Sequence, residues 1–120
     1  MKDNPIKDKS FAFALRIVEL AKYLEAEKRE YVLSKQVLRC GTAIGALIRE
    51  AEHAESKADF IHKMSIGLKE GNETMYWLEL LHHGRYINDK SFEALRSDSA
   101  ELVRLLAAIV KTSKVQRYSE

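Results

Sequence analysis

One cysteine, one proline and five glycines are spread over 120 residues, and each scarcity closes a class of explanation. With Cys40 alone, an intrachain disulfide is impossible. The opening residues Met1, Lys2, Asp3, Asn4 and Pro5 lack the apolar run of a signal peptide, so a reducing cytoplasm is the expected location. The longest charge-free stretch, residues 40–48, falls far short of the roughly 20 residues of a membrane span. Gly41 and Gly45 within it therefore read as places where a neighbouring helix approaches closely, not as a transmembrane pairing motif. The central stretch, residues 34–81, contains no phosphate-binding loop, no nucleophile-base pair and no closed metal set. Ser34 and Ser65 have no His and acid at a recognisable spacing, which leaves hydrolase chemistry without support. Net charge is also small, +2, so the bulk figure neither supports nor excludes a nucleic-acid partner.

Charged residues make up 32% and apolar ones 46%, the profile of a helical globular chain. The length suits one domain around one core, over residues 1–120, with an arm at 1–9 and a basic tail at 112–120. Four segments carry helical spacing. Residues 10–27 have two apolar rows, Phe11, Ala14, Leu15, Val18 and Ala21 beside Phe13, Ile17, Leu20 and Leu24. Residues 29–54 have a single stripe, Leu33, Val37, Cys40, Ile44, Leu47, Ile48 and Ala51, with Lys35, Thr42, Arg49 and His53 directed away. A third helix starts where Ser56 can cap free amides, with Asp59 completing a near capping box, and ends near Gly84 as a left-handed cap. It again has two rows, Phe60, Met64, Gly67, Gly71, Met75 and Leu78 beside Ile66, Trp77, Leu80 and Leu81. Residues 91–111 show one stripe: Phe92, Leu95, Leu102, Leu106, Ile109 and Val110. Short connections favour antiparallel neighbours, so the expected fold is an all-α, up-down-up-down four-helix bundle.

The wide apolar arcs on the first and third helices admit two explanations. Long helices of one small bundle can bury broad faces within a single chain, or copies can cover each other's surplus. Self-association is the preferred reading, with Phe13, Ile17, Leu20, Ile66, Glu73 and Trp77 at the contact and Glu73 paired across it with Arg39 or Arg49. Tyr76 and Trp77 could stack on bases, but at helical spacing with Leu80 and Leu81 they read as packing residues.

Charge distribution is more informative than net charge. From residue 102 to residue 119 there is no acid, while Arg104, Lys111, Lys114 and Arg117 supply four positive charges ahead of Tyr118. They suit the negative end of a helix, and they also suit phosphate contact, an effect multiplied if copies repeat them around a ring. Lys57 and Lys63 form a second basic candidate, with Lys69 nearby. A metal reading comes from Glu50-Ala51-Glu52-His53 and Glu79-Leu80-Leu81-His82, the spacing of carboxylate-bridged di-iron bundles. It is disfavoured, because His53 projects opposite Ile44 and Ala51 and the first and fourth helices offer no inward glutamate. No cofactor, metal or catalytic residue is expected.

Residues 33–39 leading into Ala43-Ile44-Gly45-Ala46-Leu47-Ile48-Arg49-Glu50-Ala51, then Asp59-Phe60-Ile61-His62-Lys63-Met64-Ser65-Ile66-Gly67, then Glu73-Thr74-Met75-Tyr76-Trp77-Leu78, carry a resemblance. The chain is similar, over residues 11–109, to bacterial four-helix-bundle proteins encoded by intervening sequences of 23S ribosomal RNA genes. One branch of that family is the accessory variability determinant of diversity-generating retroelements, a basic nucleic-acid-binding partner of a reverse transcriptase. Leu47, Ala51 and Glu70 stand where many members have Asn, Gly and Ser. The resemblance implies a homopentamer of bundles that binds RNA or DNA, beside a nucleic-acid enzyme in one branch. The expected function is thus a non-catalytic oligomeric scaffold. A purely protein-binding assembly module and a metal-dependent oxidase are the alternatives.

Overall fold

The structure, a computed structural model, describes the backbone of residues 4–119 and the side chains of residues 4–116. Four helices follow one another: α1 (Pro5–Glu27), α2 (Leu33–Glu52), α3 (Lys57–His83) and α4 (Asp89–Ser119). Two ends differ from the sequence expectation. Pro5 is the first residue of α1 rather than a flanking residue, because its fixed φ suits a helix start and the Asn4 side chain accepts from the Lys7 amide. Most of the expected arm is thereby helical. At the other end, α4 continues through the residues expected to form a tail, since nothing after Lys111 breaks it and Ser113 is still buried.

The connections explain where the helices stop. Between α1 and α2 the chain turns at Arg29, which adopts φ 49, and α2 starts later than its apolar spacing suggests. Val32 at its N-cap has no capping side chain. Glu30 fills that role, its carboxylate accepting from the amides of Ser34 at 2.8 Å and Val32 at 3.3 Å. Ser56 caps α3 as expected, accepting from the Asp59 amide. Gly84 is not left-handed, however: its φ is −76 and the positive φ, 66, falls on Arg85. Glycine is required at 84 for space instead, since a Cβ there would lie 2.9 Å from the Leu80 carbonyl oxygen.

Successive pairs along each seam fix the directions. Lys7 meets Glu52 and Ser34 meets Glu25, so α1 and α2 are antiparallel. Lys63 with Glu50 and Arg39 with Glu70 do the same for α2 and α3. Gly71 against Val103 and Gly67 against Leu106 set α3 against α4, and Lys9 with Glu101 and Arg16 with Asp98 set α4 against α1. Among the described residues no Cα of α1 comes within 8 Å of one in α3, nor any of α2 within 8 Å of one in α4. The result is a square, up-down-up-down bundle, 52 × 26 × 21 Å.

The core settles which apolar row of each helix faces inward. On α1, Phe13, Ile17, Leu20 and Leu24 are the inner row, while Phe11 and Leu15 are about half exposed. On α3 the inner row is Met64, Gly67, Gly71 and Leu78, joined by Leu81. All of α2's expected stripe faces in or toward a neighbour. Gly41 lets α1 and α2 close: a Cβ there would lie 2.8 Å from Ile17 Cγ1. The seam between α1 and α4 is the most open of the four. Toward the end holding residues 84–88 it widens into a cleft of about 530 Å³.

Candidate nucleic-acid interface

Arg104, Lys111 and Lys114 project from the solvent side of α4, all exposed. Because the helix continues to Ser119, they stand on a rigid rod and not on a loose tail. At about 1.5 Å of rise per residue, Arg104 and Lys111 are about 10 Å apart along the axis and Lys114 follows within about 5 Å. Ala107 and Ala108 lie exposed among them, so nothing bulky or acidic screens the stripe. Among the described residues none of these three cations enters an ion pair. The fourth expected member, Arg117, lies outside the residues whose side chains are described.

The two lysines of α3 part company. Lys57 donates to Gln116 Oε1 at 3.3 Å, which places it beside the C-terminal end of α4 and extends the basic surface onto α3. Lys63 is held by Glu50 at 3.0 Å, and that carboxylate raises its pKa above the usual lysine value. A cation already compensated in this way adds little to a phosphate-binding field, so Lys63 drops out of the candidate set. Most other cations at this end are paired or stacked as well. Lys7 meets Glu52, Lys9 meets Glu101, and the Arg49 guanidinium lies 5.2 Å over the Phe11 ring. At this end α4 carries three cations outside any ion pair, and among the described residues exposed Lys69 of α3 is likewise in none.

The expected oligomer contact divides. Phe13 and Ile17 are 2 and 0% exposed in the chain's own core and cannot meet another copy, while Leu20, 7% exposed, shows only an edge to the α1–α4 cleft. Two equivalent-looking rows on one helix misled the sequence reading; the outward row on α1 is Phe11 and Leu15, with Tyr23 further along. Ile66, Glu73 and Trp77 are half-buried along the α2–α3 seam. Glu73 pairs with Arg39, but inside the chain and not across a contact, and it also accepts from the Trp77 indole N–H at 2.9 Å. Glu70 joins the same arginine at 3.3 Å. The little burial there works against the Arg39 charge, yet Glu73 and then Glu70 hold its pKa above the ordinary value. Beneath this network Cys40 is fully buried, and burial pushes its thiol pKa up, so it is a packing group and not a nucleophile.

The two Glu-x-x-His pairs do not converge. His53 closes α2 beside the start of α3, and His82 lies near the end of α3, so about 40 Å of helical rise separates them. Glu50 is engaged by Lys63, and His82 is stacked on Phe92 with Nε2 2.7 Å from Asp89. Among the described residues no group of three or more His, Cys, Asp or Glu is placed to hold a metal ion. Among them also, no helix is long and apolar enough to cross a membrane. Surfaces missed by sequence reasoning are the cleft between α1 and α4, lined by Leu15, Leu20, Tyr23, Ile87, Ala94 and Leu95, and the exposed pair Tyr76 and Leu80 on α3. The signal for both was the second apolar row on α1 and on α3.

Comparison with known proteins finds likeness to a family and to solved structures. The family described as 23S rRNA-intervening sequence protein matches residues 2–108. The crystal structure of a protein with unknown function from the S23 ribosomal protein family of Bacteroides thetaiotaomicron VPI-5482 superposes with a TM-score of 0.88 at 57% identity, covering 88% of this chain and 98% of that one. No curated protein matches the chain.

Proposed function

Because the chain belongs to the 23S rRNA-intervening sequence protein family, we propose that it is a non-catalytic, homo-oligomeric helical scaffold that binds RNA or DNA. The observation carrying this reading is the α4 stripe, where Arg104, Lys111 and Lys114 face solvent without an acid partner. A phosphate backbone is the partner that such a surface fits, because each cation engaged there releases condensed counterions and no base-specific contact is required. Repetition of the stripe on each copy of an oligomer multiplies a charge that is modest on one chain. A pentamer is the copy number carried over from the family resemblance, and a nucleic-acid enzyme in the cytoplasm is the partner such a scaffold serves.

Self-association is supported by apolar side chains left in water, notably Phe11, Leu15 and Tyr23 on α1 and Tyr76 and Leu80 on α3. The same side chains favour a second reading, a purely protein-binding assembly module. Titration of fluorescent RNA and DNA oligonucleotides at 50 mM and 200 mM salt separates the two. The scaffold reading expects binding that weakens steeply with salt and is lost when Arg104, Lys111 and Lys114 are all changed to Gln. Equal binding by that triple variant removes the α4 surface, and no binding by the parent leaves the assembly module.

A further inference from the structure

The cleft between α1 and α4 changes character along its length. Its floor is apolar, made by the buried side chains of Leu20, Ile87 and Leu95, with exposed Leu15 and Ala94 on its rim. Beyond the Leu15 end, the Arg16–Asp98 ion pair bridges the two helices. At the other end Tyr23, Ile87 and Asn88 line both the cleft and a second recess of about 320 Å³, whose further walls include Lys28, Arg85 and Tyr86. Cleft and recess are therefore one continuous groove, apolar over most of its length and polar at one mouth.

The polar mouth carries positive charge that the chain leaves unanswered. Lys28 and Arg85 are exposed, and among the described residues neither enters an ion pair. Lys28 instead lies 6.0 Å over the Tyr23 ring. The two acids lining the groove are both engaged, Asp89 by His82 at 2.7 Å and Glu19 by Lys22 at 3.7 Å. The two cations follow the last turns of α1 and α3, but a helix end carries only about half a negative charge, so a full anion can still be received between them. Asn88 at the junction spends its Oδ1 on the Ser91 amide at 2.8 Å, which leaves its side-chain N–H groups to donate.

We infer that this groove binds a single-chain aliphatic carboxylate, a medium-chain fatty acid, with its tail over Leu20, Ile87 and Leu95 and its carboxylate between Lys28 and Arg85. The dimensions agree. From Leu15 to Tyr23 the helix rises about 12 Å, the length of an extended chain of about ten carbons, which brings the head group to the junction at Tyr23 and Asn88. The cleft's 530 Å³ falls within the range of about 300–1,000 Å³ of small-molecule sites, and a seam between two helices admits one tail. The sign of the charge selects the head: a cationic amphiphile would meet Lys28 and Arg85, and a neutral one would leave them unused. This site is separate from the proposed nucleic-acid surface, whose first cation, Arg104, stands about 14 Å along α4 from Leu95. A bound acid fills the floor of the groove and leaves Phe11, Tyr76 and Leu80 for contacts between copies.

Calorimetric titration of the full chain with decanoate, decanol and decyltrimethylammonium, which share one tail and differ in head charge, tests the site. The inference expects one decanoate per chain, bound at least about fivefold more tightly than either of the others. Hexanoate, with four fewer methylenes, should bind at least about tenfold more weakly than decanoate. Lys28→Gln combined with Arg85→Gln should bring decanoate down to the affinity of decanol. Ala94→Trp, on the exposed rim, should fill the cleft and abolish binding of all three, with helical circular dichroism recorded to show that the variant is folded; Ser91→Trp is made as a second block at the same wall. A parent that does not bind decanoate overturns the inference, whether its cleft stays open or is covered by another copy. Decanol bound as tightly as decanoate, or a preference for decanoate that survives the double Gln change, overturns the assignment of Lys28 and Arg85. Undiminished binding by both folded Trp variants places the ligand elsewhere and overturns the site. Titration of the same parent with RNA and DNA oligonucleotides reads the scaffold proposal separately, so nucleic-acid binding without decanoate binding overturns this inference alone.

Discussion

Replacing Gly41 by alanine should change the sign of its effect according to what stands at residue 17. In an open helix interior, Gly to Ala stabilises by about 1 kcal/mol. At Gly41 the added Cβ would lie 2.8 Å from Cγ1, 3.0 Å from Cγ2 and 3.3 Å from Cβ of Ile17. Ile17 is β-branched and fully buried, so a χ1 rotation that withdraws one γ-carbon advances the other. Relief has to come from α1 moving off α2, an overpacking cost of about 1–3 kcal/mol. Gly41→Ala should therefore destabilise by about 1 kcal/mol once the propensity gain is subtracted. Ile17→Ala alone should cost about 2–5 kcal/mol through the cavity it opens. In that background Gly41→Ala meets no γ-carbon and should stabilise by about 1 kcal/mol, a strongly non-additive pair. Gly45 is the control: its nearest neighbour would be Ser10 Oγ at 3.4 Å, an ordinary contact, and Gly45→Ala should stabilise by about 0.5–1 kcal/mol. Urea unfolding at one fixed protein concentration gives the four values. A Gly41→Ala protein as stable as its parent would refute the close approach of α1 and α2 on which this rests.

Three further outcomes follow from named contacts. If each α4 cation engages one phosphate, Arg104→Gln alone should reduce the slope of log affinity against log salt by about 0.9 on duplex DNA and about 0.7 on a single strand, measured by fluorescence anisotropy. Cys40 has a raised folded pKa, so its stabilising effect is complete below the unfolded value of 9.0 and declines as pH rises from there toward the folded value, because only the unfolded chain releases the proton. Denaturant midpoints of the parent should accordingly fall between pH 8.5 and 10 more than those of Cys40→Ala, and equal losses would contradict the assignment. Ser56→Ala removes the hydroxyl that accepts from the Asp59 amide and should cost about 1 kcal/mol by thermal or urea unfolding.

The sequence was most legible where a helix carried one apolar stripe. On α2 the stripe from Leu33 to Ala51 faces the bundle throughout, and Lys35, Arg49 and His53 are exposed. The cap at Ser56 was legible because a hydroxyl three residues before a carboxylate has a local job that tertiary structure rarely overrides. Where a helix carried two rows, periodicity alone had no means of ranking them. Phe13, Ile17 and Leu20 won the interior of α1 over Phe11 and Leu15, partly because Gly41 on α2 offers a recess that fits Ile17. The end of α4 was misplaced because helix propensity fades gradually past Lys111, while the helix is held there by contacts distant in sequence, Lys57 with Gln116 among them. The basic side of the site was visible as an acid-free run, but which lysines were already compensated was not. Glu50 and Lys63 are 13 residues apart on different helices, and nothing local announces their pairing.

Central to the account is that several copies of this chain act together and carry nucleic acid on α4. The most direct measurement is native mass of protein purified at low salt, taken with the ratio of its absorbance at the nucleic-acid and protein maxima. The account predicts one discrete assembly, with the mass of five 13.8 kDa chains if the family's copy number holds, and bound nucleic acid that high salt strips away. A single chain that stays monomeric at high concentration and is free of nucleic acid would contradict it.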